Sequence, residues 1–251
     1  MTQKIYIRLK GGLGNQIFQY AFALTLKNNG VNVDGFWIAQ SLDNFGRSYL
    51  LDRVLISAPN IVTELSPETI HVQSENLEAI VNFLQSQGEA SILIDGYFQD
   101  IRYLQSSDLE NHFKLPEFLM PTTAVHIRRS EYGHHGILPF SYYTDALISL
   151  GSPDFVVYGD EPNFAAYMFS KIRGYRGTVL PSLSDPAKDF LQMTTHSGIV
   201  MANSTFSWLA AFLAFRRRQA RIMYPSQWTL MDIVPGHDVS WQKVQTKLIQ
   251  P

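Results

Sequence analysis

Four short patterns in this chain combine the residue types that chemistry on a charged small molecule requires. Gly11-Gly-Leu-Gly-Asn-Gln16 stands between a β-branched, aromatic run and a stretch of helical period. Glycines at such a place permit positive φ and close backbone approach to a ligand, and a helix start attracts anions. His126-Ile-Arg-Arg-Ser-Glu131 leaves a second apolar run. Alternation along an extended strand puts His126 and Arg128 on one side and Ile127 on the other. An arginine fork binds phosphate through two parallel hydrogen bonds, so Arg128 at a strand's carboxyl end suits a nucleotide diphosphate. Tyr158-Gly-Asp160 ends a third run, and its acid suits a guanine edge, a ribose or the cap of the next helix. Asn203-Ser-Thr-Phe-Ser-Trp208 offers hydroxyls and N–H groups at a strand-to-helix junction, as a phosphate cradle or an ordinary N-cap. Each pattern alone also has a plain structural reading: a tight turn, an ion pair of Glu131 with Arg128 or Arg129, or a helix cap. Their common place at strand ends suits a nucleotide.

Those patterns need a scaffold, and the composition supplies one. The chain has 251 residues, enough for one large or two small domains. Hydrophobic residues are 45% and charged residues 17%, which supports a sizeable core and excludes wholesale disorder. Lys plus Arg is 20 against 22 Asp plus Glu, a net charge of −2 that argues against a nucleic-acid partner. The count of cysteines is 0, which excludes disulfide scaffolds, thiolate zinc sites and cysteine catalysis. No Asp-x-Asp occurs, consistent with arginine rather than a metal neutralising a diphosphate, so neither metal nor cofactor is expected.

Strands and amphipathic helices alternate, which predicts an α/β fold with largely parallel sheets. Strands are expected at 4–9, 31–33, 91–94, 124–127, 154–158, 178–180 and 198–201. Helices are expected at 15–27, 77–85, 141–149, 163–171, 185–194 and 208–218. Pro116 and Pro121 bracket the best linker, giving an N-terminal α/β domain at 1–120 and a C-terminal Rossmann-like domain at 121–251. The active site is expected in a central cleft. Gly198 to Phe215 is the most apolar stretch, but Asn203, Ser204, Thr205 and Ser207 interrupt it. It reads as a buried strand, a polar turn and a buried helix rather than a membrane span. The N-terminus carries no apolar secretion segment, so a cytoplasmic protein is expected.

Gly11-Gly-Leu-Gly-Asn-Gln-Ile-Phe-Gln-Tyr-Ala-Phe22, Asp95-Gly-Tyr-Phe-Gln99, His126-Ile-Arg-Arg129, Leu138-Pro-x-x-Tyr-Tyr143, Asp189-Phe-Leu-x-Met193 and Asn203-Ser-Thr-Phe-Ser-Trp208 together resemble the bacterial α-1,2-fucosyltransferase family. The matches run in family order over most of the chain. The resemblance implies a GT-B-like fold and metal-independent transfer of L-fucose, with inversion, from GDP-fucose to the 2-hydroxyl of a galactose in an oligosaccharide. It implies catalytic roles for Arg128, Asn15 and His126, with Arg128 gripping the β-phosphate. It places Gly12, Gly14 and Asn15 near the leaving group and acceptor, and Asn203, Ser204, Thr205 and Phe206 at the diphosphate. Asp160 is implied near guanine. The family usually ends its arginine motif with Gly-Asp where this chain has Ser130-Glu131, so Glu131 is read as orienting an arginine. Glu131 and His126 are both candidates for a general base, or the departing phosphate takes the proton.

Two other classes account for part of the pattern. An NAD(P)-dependent oxidoreductase would use Gly12, Gly14 and Asp34, although Ile17 occupies the third glycine position. A non-catalytic glycan-binding module would use the aromatic residues, which are 13% of the chain. Trp37, Tyr97, Phe98 and Trp228 are expected to divide between core and acceptor cleft. Arg216 to Arg221 closes a helix, and its cations either complement the helix dipole or touch an anionic membrane surface at its inner face.

Overall fold

A computed structural model describes residues 3–39, 47–129, 136–180, 185–229 and 240–249. The chain divides into two compact units, Met1–Lys114 and Leu115–Pro251. The sequence placed the break after residue 120. Pro121 lies inside a strand instead, between Met120 and Thr123 where the pairing register shifts. A strand tolerates a proline at such an irregularity, because no ladder hydrogen bond is needed from it.

In the first unit the chain runs β1 (Lys4–Arg8), α1 (Leu13–Asn28), β2 (Gly35–Trp37), α2 (Leu51–Val54), β3 (Ile61–Val62), β4 (Ile70–Gln73), α3 (Leu77–Ser86), β5 (Ser91–Asp95) and α4 (Ile101–Gln105). A 3-10 turn follows at Leu109–His112. The strands pair in the order β3-β2-β1-β5-β4, all parallel. Ile92, Leu93 and Ile94 are all buried, as befits an inner strand of a parallel sheet covered on both faces. The expected strand at 31–33 is four residues early. Asp34 explains the shift, since its carboxylate accepts the Ile5 N–H at 2.8 Å and fastens the chain to β1 just before β2 begins.

The second unit contains β6 (Met120–Ile127), α5 (Phe140–Leu150), β7 (Asp154–Gly159), α6 (Pro162–Phe169), β8 (Arg176–Val179), α7 (Pro186–Met193), β9 (His196–Val200), α8 (Thr205–Arg218), β10 (Arg221–Pro225) and β11 (Gln242–Val244). Its parallel sheet has the order β11-β10-β9-β6-β7-β8. Val125, Ile127, Tyr142, Tyr143, Leu147 and Phe155 centre the core on the α5 and α6 face. Helix α8 is buried from Ser207 to Ala214, an all-round apolar segment that belongs inside a protein. The 198–215 stretch is therefore strand, turn and helix as read. Among the described residues no helix is long and apolar enough to cross a membrane.

Both strand orders contain one reversal. In the first sheet the chain builds outward from β1 on one side and places β5 on the other. In the second it builds from β6 through β7 to β8, then places β9 on the opposite side. Open parallel sheets bind ligands outside the carboxyl ends of the two strands at such a reversal, because the loops there diverge and leave a crevice. The glycine turn and the Asp95 motif leave β1 and β5. The arginine and Asn203 motifs leave β6 and β9.

Candidate functional site

At the end of β6, burial and chemistry are set against each other. His126 is only 5% exposed, and its ring lies 5.3 Å from that of Phe206 at a 29° tilt. That stacking ties the arginine motif to the first turn of α8. Nδ1 of His126 is buried without a hydrogen-bond partner. Burial first, and then the neighbouring Arg128 charge, push the imidazole pKa down to about 3, with Asp160 opposing both. His126 is thus a neutral imidazole at pH 7. It can give one N–H to an anion but brings no positive charge, and it is a weak proton acceptor.

Arg128 supplies the charge. Its Nε is 3.5 Å from Oδ2 of Asp160, and both side chains keep about a fifth of their surface in water, at 22% and 20%. Oδ1 of the same carboxylate accepts the Arg129 N–H at 3.0 Å. Asp160 therefore fixes the backbone of the arginine pair and one of its side chains. Arg129 is held separately: Nε donates to Oε2 of Glu161 at 2.9 Å, and the guanidinium lies 3.8 Å from the centre of the Phe164 ring. Holding arginines by carboxylates was assigned to Glu131 from the sequence. Asp160 and Glu161 do so in the structure, and Glu131 lies outside the described residues. Gly159 makes the approach possible. It is paired with Ile127, and a Cβ there would strike the Ile127 carbonyl oxygen, so the ends of β6 and β7 can meet only with glycine.

At the end of β9, Asn203 donates through Nδ2 to the carbonyls of Gly136 at 3.2 Å and Trp228 at 3.1 Å, pinning two loops. Ser204 is the N-cap of α8, its Oγ accepting from the Phe206 N–H at 3.4 Å. Ser207 turns back, donating to the carbonyls of Ala202 and Ser204. Ser204 thus does cap the helix, and Asn203 and Ser207 brace the turn around it. Thr205 opens α8 and is half-buried.

In the first unit Gly11 adopts φ +76°, and Gly12, with no side chain to offer, stands at the N-cap of α1. Two buried glutamines of α1 brace the turn around it. Gln16 donates to the carbonyls of Gly11 and Ser48 and accepts the Leu50 N–H. Gln19 accepts the Lys10 N–H and donates to the Gly96 carbonyl. A Cβ on Gly12 would meet the Arg47 guanidinium at 2.6 Å, which puts that cation beside the glycine turn. Gly14 is buried in the first turn of α1.

Asp95, Tyr97, Phe98 and Gln99 leave β5 beside the glycine turn, each with a separate task. Asp95 binds Lys10 at 2.5 Å and Arg8 at 2.8 Å. Burial alone would push its carboxyl up, but hydrogen bonds and charge from both cations outweigh that and hold it below the usual range. Tyr97 is 40% exposed beneath Lys10, whose Nζ is 4.3 Å from the ring centre. Phe98 takes φ +53° and stacks on Phe22 at 3.9 Å within the core. Gln99 donates to Oδ1 of Asn15 at 3.0 Å. Of the four doubtful aromatics, Phe98 and Trp228 are core, Tyr97 is half in water, and Trp37 lies under Arg8. The roles of Asp95, Gln16, Gln19, Arg8, Lys10, Arg47 and Glu161 were not read from the sequence. The motif matches around Gly11–Phe22, which contains Gln16 and Gln19, and around Asp95 were the signals that pointed near them.

The structure removes the oxidoreductase reading. Asp34 stands at the amino end of β2, bound to the Ile5 backbone, whereas the glycine turn follows the carboxyl end of β1. An acid there cannot reach a ribose over the glycine turn. Among the described residues no group of three or more His, Cys, Asp or Glu side chains could hold a metal ion.

No family model matches the chain. It is 25% identical to the O-antigen biosynthesis glycosyltransferase WbnK of Escherichia coli, over 83% of this chain and 90% of that protein. It is 26% identical to an alpha-1,2-colitosyltransferase of Escherichia coli, over 83% of this chain and 87% of that one. Among solved structures it resembles the heptosyltransferase WaaC of E. coli with ADP. That likeness has a TM-score of 0.54 at 11% identity, covering 96% of this chain and 93% of the other. The α/β fold with two parallel sheets is therefore the GT-B-like fold.

Proposed function

We propose that this chain is a glycosyltransferase that moves L-fucose from GDP-fucose to the 2-hydroxyl of a galactose in an oligosaccharide, with inversion and without a metal. The observation that carries the reading is the β6–β9 reversal. An arginine held by Asp160 and a neutral histidine stacked on Phe206 stand there with the capped start of α8. A diphosphate needs such a set: one fixed cation, one neutral donor, and the N–H groups of a helix start. Two relatives that are themselves glycosyltransferases support the reading.

The reaction is a displacement at the anomeric carbon. The acceptor oxygen forms its bond to that carbon as the bond to the β-phosphate oxygen breaks, and GDP leaves with the electron pair. The largest catalytic contribution is then electrostatic stabilisation of the departing diphosphate, from Arg128, the His126 N–H and the turn at Ser204 and Thr205. Asn15, Gly12 and Gly14 keep the roles near leaving group and acceptor that the resemblance implies. With His126 so weak a base, the acceptor proton passes to Glu131 or to the departing phosphate.

Calorimetric titration with GDP, with and without EDTA, in wild type and Arg128→Ala tests the donor half. EDTA-insensitive binding that Arg128→Ala abolishes is expected, and absence of GDP binding overturns the reading. Turnover of GDP-fucose with galactosides then tests the transfer, with a colitosyl donor as the competing substrate.

A further inference from the structure

The edge of the second sheet farthest from these motifs has a character of its own. Arg221 is level with Gly198, which is level with Thr123 and, across β6, with Phe155. The amino ends of the strands therefore form one rim, and the carboxyl ends carry the site. At that rim Phe118 and Leu119 are 59% and 56% exposed, and Ile148, near the end of α5, is 63% exposed. Arginines fix the same segments. Arg217 donates to the Leu115 carbonyl at 3.4 Å, and Arg218 donates to the carbonyls of Pro116 and Glu117. Arg221 donates to the Leu150 and Ser149 carbonyls.

Arg221 thus complements the carboxyl end of α5, and Arg217 and Arg218, in the last turn of α8, suit that helix's own dipole while holding the 115–117 segment. That role explains their positions but not the large apolar side chains left in water on the same segments. Charge decides what would cover those side chains. The chain carries a net −2, yet Arg216, Arg217, Arg218 and Arg221 gather here. The acids on the same segments are Glu117 and, one turn up α5, Asp145; Asp154 is already paired with Arg176 at 2.7 Å. Fixed cations flanking adjacent exposed apolar side chains match a bilayer surface, with phosphate headgroups outside and acyl chains within reach.

We infer that this rim, Phe118, Leu119 and Ile148 among Arg216, Arg217, Arg218 and Arg221, docks the protein on an anionic lipid surface and leaves the opposite, ligand-binding edge of the sheet free. The inference is independent of which sugar is transferred.

Co-sedimentation of the full chain with phosphatidylcholine vesicles, with and without phosphatidylglycerol, tests it. Binding is expected only with phosphatidylglycerol, and it should weaken but not vanish as salt is added. Removing one cation should weaken it about fivefold, so Arg216→Gln/Arg217→Gln should lose about 25-fold. Phe118→Ser/Leu119→Ser removes exposed groups, so it should keep the wild-type melting temperature and yet lose what binding survives added salt. Failure of the wild type to sediment with anionic vesicles overturns the inference, as does unchanged binding in both variants. Equal retention of wild type and Phe118→Ser/Leu119→Ser on duplex DNA and on vesicles also overturns it, since the rim would then be a general polyanion surface.

Discussion

Arg128 and His126 have opposite electrostatic fates two residues apart. Arg128 keeps its charge beside Asp160, so Arg128→Ala should lower turnover on the order of 10² to 10³-fold at saturating donor. Arg128→Lys keeps the charge but loses the planar fork, so its rate should fall between the two, as steady-state kinetics with GDP-fucose would show. His126 and His196 are both buried neutral. Burial pushes His196 down to about 4, with Thr122 opposing, and its ring nitrogens bond the Thr122 and Tyr158 hydroxyls at 2.9 Å each. Both folded values lie below the ordinary 6.5, so the unfolded chain binds more protons as acidity rises. Their stabilisation is complete above pH 6.5 and is lost as pH falls toward 4 for His196 and toward 3 for His126. Each group gives a slope approaching about 1.4 kcal/mol per pH unit in that window. Urea midpoints measured from neutral pH down to about pH 5 should fall, and the fall should be shallower in His196→Asn. A flat profile in the wild type would remove both histidines from the neutral state assigned to them.

The strand ends and their turns decide where those groups stand, and two glycines separate backbone need from side-chain room. Gly159→Ala drives a Cβ into the Ile127 carbonyl, a rigid backbone atom. It should cost about 1–3 kcal/mol of stability. It should also weaken GDP binding, because it parts the strands that bring Asp160 to Arg128. Gly12 has an ordinary φ of −72°, and its Cβ would meet only the flexible end of Arg47. Gly12→Ala should therefore leave the melting temperature close to wild type while displacing Arg47. Thermal melts of the two variants side by side distinguish these cases. At the other reversal, Ser204→Ala removes the α8 cap and should cost about 1 kcal/mol.

Taken whole, the protein is two parallel sheets, each with its own core and its own reversal, joined at Lys114 and Leu115. Arg128, Asp160, His126, Ser204 and Phe206 all belong to the second unit. A fragment of residues 115–251 carries the arginine, the histidine and the Ser204 turn, and lacks only the glycine turn among the described groups placed near the leaving group. Its affinity for GDP should stay within about tenfold of the full chain, a difference of about 1.4 kcal/mol, while transfer is lost. Calorimetry on the purified fragment checks this.

By itself the sequence determined what local pattern can encode. The alternation of strands and helices, the glycine turn, the arginine pair and the Ser204 turn were all legible, because strand period, helix period and turn chemistry act over a few residues. The short elements β3, β4, α2, α4 and β11 were not, because few residues carry their signal, and β10, as long as β1, follows only two residues after α8 with no proline or glycine to mark the break. Only tertiary structure could decide partnerships across the sheets. Asp34 had the spacing of a ribose-binding acid, yet strand pairing put it at the wrong end of β2. Asp160 offered three readings, and the adjacency of β6 and β7 gave it to Arg128 and Arg129. Titration of His126 depends on burial by α8, some eighty residues onward. Sequence spacing fixes which groups a chain owns, whereas charge, burial and hydrogen bonding depend on neighbours that only the packed sheets bring together.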